Sequence, residues 1–294
     1  MLRACWSRDH LQIFFRNLNK IVADTTTSSN TVDEKYDEWR KIVRFRTVVA
    51  WILTFVSFSS LIVQSVTEYN DDFDTGIANP FPHRNKAVTY FFLCLQIWEV
   101  GAWLFPILFQ VTLFTFLSHQ FSSLDKDIIR MIEENGEMIS QKVKDIRRKH
   151  LQLCKAVSIL EQDTQYFMAA TYVSNIFLVC FIVYQMVTSG TLSIFTYVSF
   201  SSWLMMNTMI TLTVSVTAAQ VNEQAHSLLE NIYDVDMSKA STFESLEMQM
   251  FLSKLNGPAI GFTAMGFVTV TKEFILTLGG IIITYFFLLL QFQL

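Results

Sequence analysis

Five runs of the chain are almost without charge, and the stretches between them are charged yet keep their apolar residues at helical spacing. Residues 47–67, 86–118, 166–187, 192–219 and 274–290 are each long enough to cross a bilayer core. About 20 apolar residues suffice for that, because backbone amides deprived of water must bond along a helix. The second run exceeds the length needed, so its helix must tilt, kink at Pro106 or continue into water. Between the second and third runs, Leu117, Phe121, Leu124, Ile128 and Ile132, then Ile146, Leu153, Val157, Leu160 and Phe167, recur in steps of three, four or seven. After Gln220 the same beat continues through Val221, Ala225, Leu228, Leu229 and Ile232, and it restarts in Thr242 to Leu255 with Phe243, Leu246 and Met250. Such stripes put one apolar face on each helix. They predict that the second, third and fourth spans project from the membrane as long helices, the second and third joined near Asn135-Gly136. Asn256-Gly257-Pro258 ends the short helix before the terminal run.

The pattern predicts an all-α, polytopic helical membrane protein in six stretches. Residues 1–46 form a cytosolic segment, and 47–118 the first two spans with an acidic outer loop interrupted by Pro80 and Pro82. Residues 119–165 are charged helix, 166–219 a membrane hairpin turned at Thr188-Ser189-Gly190, 220–273 further charged helices, and 274–294 a terminal helix. Lys and Arg decide the direction. Nine precede the first run, eight lie in 119–165 and three in 220–273, against two in the outer loop. The positive-inside rule therefore puts the amino end in the cytosol and the carboxyl end outside.

Composition agrees: 51% of the residues are hydrophobic and 16% charged, against about 25% charged in soluble domains. A net charge of -4, with no basic stripe interleaved with aromatics, gives no nucleic-acid surface. Cys5, Cys94, Cys154 and Cys180 fall in no Cys-x-x-Cys spacing and read as buried small apolar residues. His10, His83, His119, His150 and His226 lie in different segments, none at metal-ligand spacing, and read as solvated or interfacial. Without a phosphate loop or a nucleophile elbow, the sequence offers no catalytic residue, no metal site and no cofactor. Glu99 is the one carboxylate within a span, and such a group faces a protein interior or wet cavity, or bonds to a neighbouring helix.

In the last run, Thr284-Tyr285, the five apolar residues 286–290, and Gln291-Phe292 reproduce the Thr-Tyr, five apolar, Gln-Phe signature of the insect gustatory and odorant receptor superfamily. The chain resembles that superfamily, and the stretch from Gly266 to Lys272 and the Leu278-Gly279-Gly280-Ile281 break are similar to its split last helix. The resemblance implies a ligand-gated, poorly selective cation channel of the plasma membrane. Four subunits, from one chain or from related receptors, would surround the last helix, with Leu288 as gate, Gln291 as the constriction outside it and Thr284 on the same face. It implies an anchor built from about 119–165 and 220–273, and contact with lipid but with no G protein. It further implies a small organic ligand held in the outer leaflet, for which Trp98, Glu99, Phe177, Tyr184, Tyr197 and Trp203 are the candidate lining residues. The family has seven spans, so these five correspond to its third to seventh and the first two are missing. That departure sets a non-conducting or vestigial accessory subunit beside the channel. A secondary transporter is a third reading, supported by a single broken segment at Gly279-Gly280.

Overall fold

The computed structural model describes residues 86–133, 139–188, 194–233 and 241–291, with scattered positions from 16 to 62. The first predicted span falls partly outside them, its described positions between 47 and 62 being helical. The segment 1–46 (save Arg16, Lys41, Arg44 and Phe45), the predicted acidic outer loop and residues 134–138, 189–193 and 234–240 also lie outside the described residues.

Three long helices dominate: α1 (Lys86–Glu133), α2 (Ile139–Thr188) and α3 (Ile194–Tyr233), of 48, 50 and 40 residues. At about 1.5 Å per residue each is at least twice as long as a bilayer core is thick. Among the described residues, Gly101–Arg130, Val143–Thr188 and Thr196–Tyr233 are long and apolar enough to cross a membrane. Of the three courses open to the over-long second run, continuation is the one observed, since α1 passes through Pro106 and on into the charged segment without a break.

A short helix follows, α4 (Thr242–Leu255), then two short strands, β1 (Thr263–Ala264) and β2 (Val268–Thr269), and a terminal helix α5 (Lys272–Gln291). The start of α4 is fixed by a capping box. The Ser241 hydroxyl accepts from the amide of Glu244, whose carboxylate accepts from the amide of Ser241 in return. This Ser-x-x-Glu signal satisfies two amides that the helix itself leaves bare. Ser241→Ala is expected to cost about 1 kcal/mol, read as a lowered unfolding midpoint of the purified protein.

The strands pair antiparallel, Thr263 with Thr269 and Ala264 with Val268. Phe267 donates its amide to Ala264, closing a turn whose central residues, Met265 and Gly266, have φ of 53° and 75°. Two positive-φ positions in succession are what a tight hairpin turn of this hand requires, and Gly266 meets that requirement without strain.

The chain divides into two compact units. One contains Val111–Ala170 and Val214–Leu276. Its core is Phe114, Leu117, Phe121 and Ile128 from α1, Leu153, Val157 and Leu160 from α2, Val221, Ala225 and Leu228 from α3, and Phe251, Leu255, Phe262 and Val270 from the remainder. Nearly every position of the predicted stripes on α1 to α3 is buried here. On α4 the expectation fails. Met248, Phe251 and Leu255 are buried, whereas Phe243, Leu246 and Met250 are exposed. Both faces of that helix are apolar, and the one that docks is the one carrying Phe251 and the helix end that leads into the hairpin.

The other unit contains Arg40–Gln110, Thr171–Thr213 and Thr277–Leu294. There α5 runs unbroken through Gly279 and Gly280, so the expected break at these glycines does not exist. Two glycines cost a helix about 2 kcal/mol in water, but in a run this apolar the backbone has no partner other than its own turns. The split in the last segment lies instead at residues 256–271, where the hairpin separates α4 from α5.

Candidate functional site

Thr284, Leu288 and Gln291 lie at i, i+4 and i+7 on α5, and all are exposed in the single chain. Tyr285 is half-buried, and Phe292 lies outside the described residues. The Thr284 hydroxyl donates to the carbonyl of Gly280 at 2.8 Å. Its proton is thereby turned into the helix, and its lone pairs are what the exposed face presents. A hydroxyl oxygen, an isobutyl group and a carboxamide in successive turns are the materials of a neutral pore lining, able to replace some water around an ion and to close by dewetting. A Cβ added at Gly279 or Gly280 would meet nothing within 4 Å among the described residues, so neither glycine admits a close neighbour from that part of the chain.

The chain enters α5 from a hairpin that three other helices hold. Phe262, just before β1, stacks on Phe114 of α1 with ring centroids 3.8 Å apart. The α2 carboxylate of Glu161 accepts from the Thr263 hydroxyl, and the Gln165 carbonyl accepts from the Met265 amide at 3.3 Å. From α3, Asn222 and His226, one turn apart, take the two polar groups of Ile260. Asn222 donates Nδ2 to its carbonyl at 3.1 Å, and its amide donates to His226 Nε2 at 3.1 Å. That last bond fixes the tautomer, since Nε2 must be bare, so Nδ1 carries the proton and donates to the Leu255 carbonyl at 2.8 Å. His226 therefore ties the end of α4 to the start of the hairpin, and it does so only as a neutral ring. Gly261 lies so close to this clamp that a Cβ there would sit 3.2 Å from that of Asn222. The Lys272 ammonium meets Glu223 at 2.7 Å, but both are exposed, and such a pair is worth less than about 1 kcal/mol.

Behind the clamp, His150 of α2 is 1% exposed, set edge-on between Phe121 and Phe251. Its Nε2 lies 3.2 Å from the Ala225 carbonyl, which requires a proton on Nε2, and Cys154 Sγ is 3.6 Å from Nδ1. Burial lowers the His150 pKa to about 4 against the pull of the Ala225 carbonyl, with His226 and Lys254 lowering it further. Burial likewise pushes the Cys154 thiol up to about 11, so it remains an S–H donor and no nucleophile. These groups belong to the charged segments outside the apolar runs.

The expectation of solvated or interfacial histidines is thus wrong for His150 and His226. His150 lies four residues after Ile146 and three before Leu153, on the buried stripe itself. His119 is half-buried, and His10 and His83 lie outside the described residues. The expectation of buried cysteines fails at Cys94, which is exposed, while Cys154 and Cys180 are half-buried and Cys5 lies outside the described residues.

Of the candidate ligand residues, Trp98, Phe177, Tyr184 and Tyr197 are exposed and Trp203 is half-buried. The side chain of Glu99 lies outside the described residues. Tyr197 donates its hydroxyl to the Met186 carbonyl at 3.3 Å, which joins α3 to the end of α2 that carries Tyr184. Sequence reasoning passed over Asn175 and Asn207, which are buried where α2 and α3 meet. The available signal was a carboxamide in the middle of an apolar run, since such groups turn inward in a membrane helix.

Apolar helices that continue into charged segments, with a terminal helix that carries no charge after Glu273, define an all-α polytopic membrane protein. The chain belongs to the chemosensory receptor family whose model is described as 7tm Chemosensory receptor and matches residues 1–294. No curated protein matches it in sequence. Its fold is similar to that of the insect olfactory receptor OR5 from Machilis hrabei, in complex with eugenol (TM-score 0.70, 18% identity) and without it (0.69, 17%). In both comparisons 99% of this chain and 78% of that receptor are covered.

Proposed function

We propose that this chain is a subunit of a ligand-gated, poorly selective cation channel of the plasma membrane, gustatory-receptor-like, with its amino end in the cytosol and its carboxyl end outside. Four copies, or copies mixed with related receptors, surround an axis lined by α5, with Leu288 as the gate and Gln291 as the outer constriction. The observation that carries this reading is the exposed face of Thr284, Leu288 and Gln291 on a helix with no charge after Glu273. One such helix encloses nothing, so conduction requires partners. The exposed stripe of Phe243, Leu246 and Met250 on α4 supports assembly, because it leaves apolar surface that a neighbouring subunit would cover. The similar olfactory receptor was solved with eugenol, which supports a small organic ligand here. The unbroken course of α5 removes the one feature that favoured a transporter.

The test is current recording from cells expressing the chain alone and with a related receptor. Leu288→Ala is expected to raise the resting leak severalfold, and Gln291→Ala to shift the reversal potential under asymmetric cations. Unchanged currents in both variants would remove the pore assignment, and a tag after Leu294 reachable only from the cytosol would remove the topology.

A further inference from the structure

Asn175 of α2 and Asn207 of α3 are 2% and 1% exposed, and in each the carboxamide oxygen lacks a donor among the described residues. Their hydrogen bonds dictate which end of each amide is which. Asn207 Nδ2 donates to the Trp203 carbonyl at 2.8 Å, so Oδ1 is the atom turned away. Thr211 spends its proton on the Asn207 carbonyl at 2.9 Å, so toward Asn175 it can only accept, and Asn175 presents Nδ2 to it at 3.0 Å. Flipping either amide would set oxygen against oxygen. Two acceptors of the same sign, linked through one threonine, are therefore left bare inside the apolar unit, where an unpaired amide oxygen is destabilising.

We infer that Asn175 and Asn207 form a polar anchor that accepts a hydrogen bond from the O–H group of a small alcohol-type ligand bound between α2 and α3. The inference rests on the proposed sensory function and names the ligand chemistry that function would recognise. A site built on unpaired acceptors discriminates sharply, because an ether or hydrocarbon of the same shape leaves them unpaired. An internal water is the other source of an O–H donor, and the experiment separates the two.

Purified protein in detergent micelles is titrated with benzyl alcohol and with benzyl methyl ether, the unfolding midpoint being read against concentration. The alcohol is expected to bind about tenfold tighter than the ether. Asn207→Leu and Asn175→Leu, alike in branching though bulkier and tested separately in case one fails to fold, are expected to bring the ratio near one without weakening the ether. Equal binding of the two probes by the natural protein, no binding of either at millimolar concentration, or an unchanged ratio in a folded leucine variant overturns the inference. In those cases the amides hold water alone. Because binding is read without current, a chain that prefers the alcohol but never conducts loses the channel and keeps the anchor. One that conducts without the preference does the reverse.

Discussion

Phe262→Ala is expected to destabilise the unit it belongs to by about 3–5 kcal/mol, the range for removing a fully enclosed phenylalanine. The ring is 0% exposed and stacks on Phe114, itself 0% exposed, at 3.8 Å. The shape around it leaves little room to collapse. Two residues before Phe262 the backbone is held by Asn222 and His226, and the Val270 amide donates to the Phe262 carbonyl at 2.9 Å. A cavity there is fenced by hydrogen bonds that would have to break before the wall moved in. Chemical or thermal unfolding of the purified protein measures the loss. Phe267→Ala, in the same hairpin but 83% exposed, is the control and should stay within about 0.5 kcal/mol. Equal effects at both positions would mean that burial in the single chain is not what holds the hairpin. Phe114→Ala combined with Phe262→Ala should cost less than the sum of the two, since the rings share one cavity. On the proposed channel, Phe262→Ala should also reduce ligand-evoked current at equal surface expression, because the chain enters α5 directly from the hairpin.

The helices were legible because a bilayer and a packed bundle impose the same demand: apolar residues where a neighbour or lipid will be. Leu117, Phe121, Leu124 and Ile128 lie where their spacing puts them, fully enclosed. On α4 that logic could not choose, since Phe243, Leu246 and Met250 make as good a stripe as Met248, Phe251 and Leu255. Only the tertiary partners of Phe251, among them His150, decide it. The hairpin escaped notice because its strands are two residues long and its turn is marked by a lone Gly266 after a methionine that takes a positive φ against its own preference. His226 escaped because its role depends on two backbone groups, of Leu255 and Ile260, that sequence distance hides. The pore face is the opposite case. Helical period puts Thr284, Leu288 and Gln291 on one face, the pore role is what the family resemblance implies, and the structure leaves all three exposed, as the proposed lining between subunits would require.

Acidification from pH 7 to 4 is expected to cost the protein about 3 kcal/mol through His150 alone, and the sign follows from linkage. In the unfolded chain a histidine titrates near 6.5, whereas burial holds His150 at about 4 in the folded one. Between those values the unfolded state binds a proton that the folded state does not, so stability is full above about pH 6.5 and is lost as pH falls toward 4. Below that both states are protonated and the loss stops growing. The groups that face the ring explain why it resists. Phe121 and Phe251 offer no counter-charge, Cys154 keeps its proton, and Lys254 and His226 repel a second positive charge. His150→Gln can still donate to the Ala225 carbonyl without titrating, so its stability should vary with pH by about 3 kcal/mol less than that of the natural protein. A variant with the same slope would assign the acid sensitivity elsewhere.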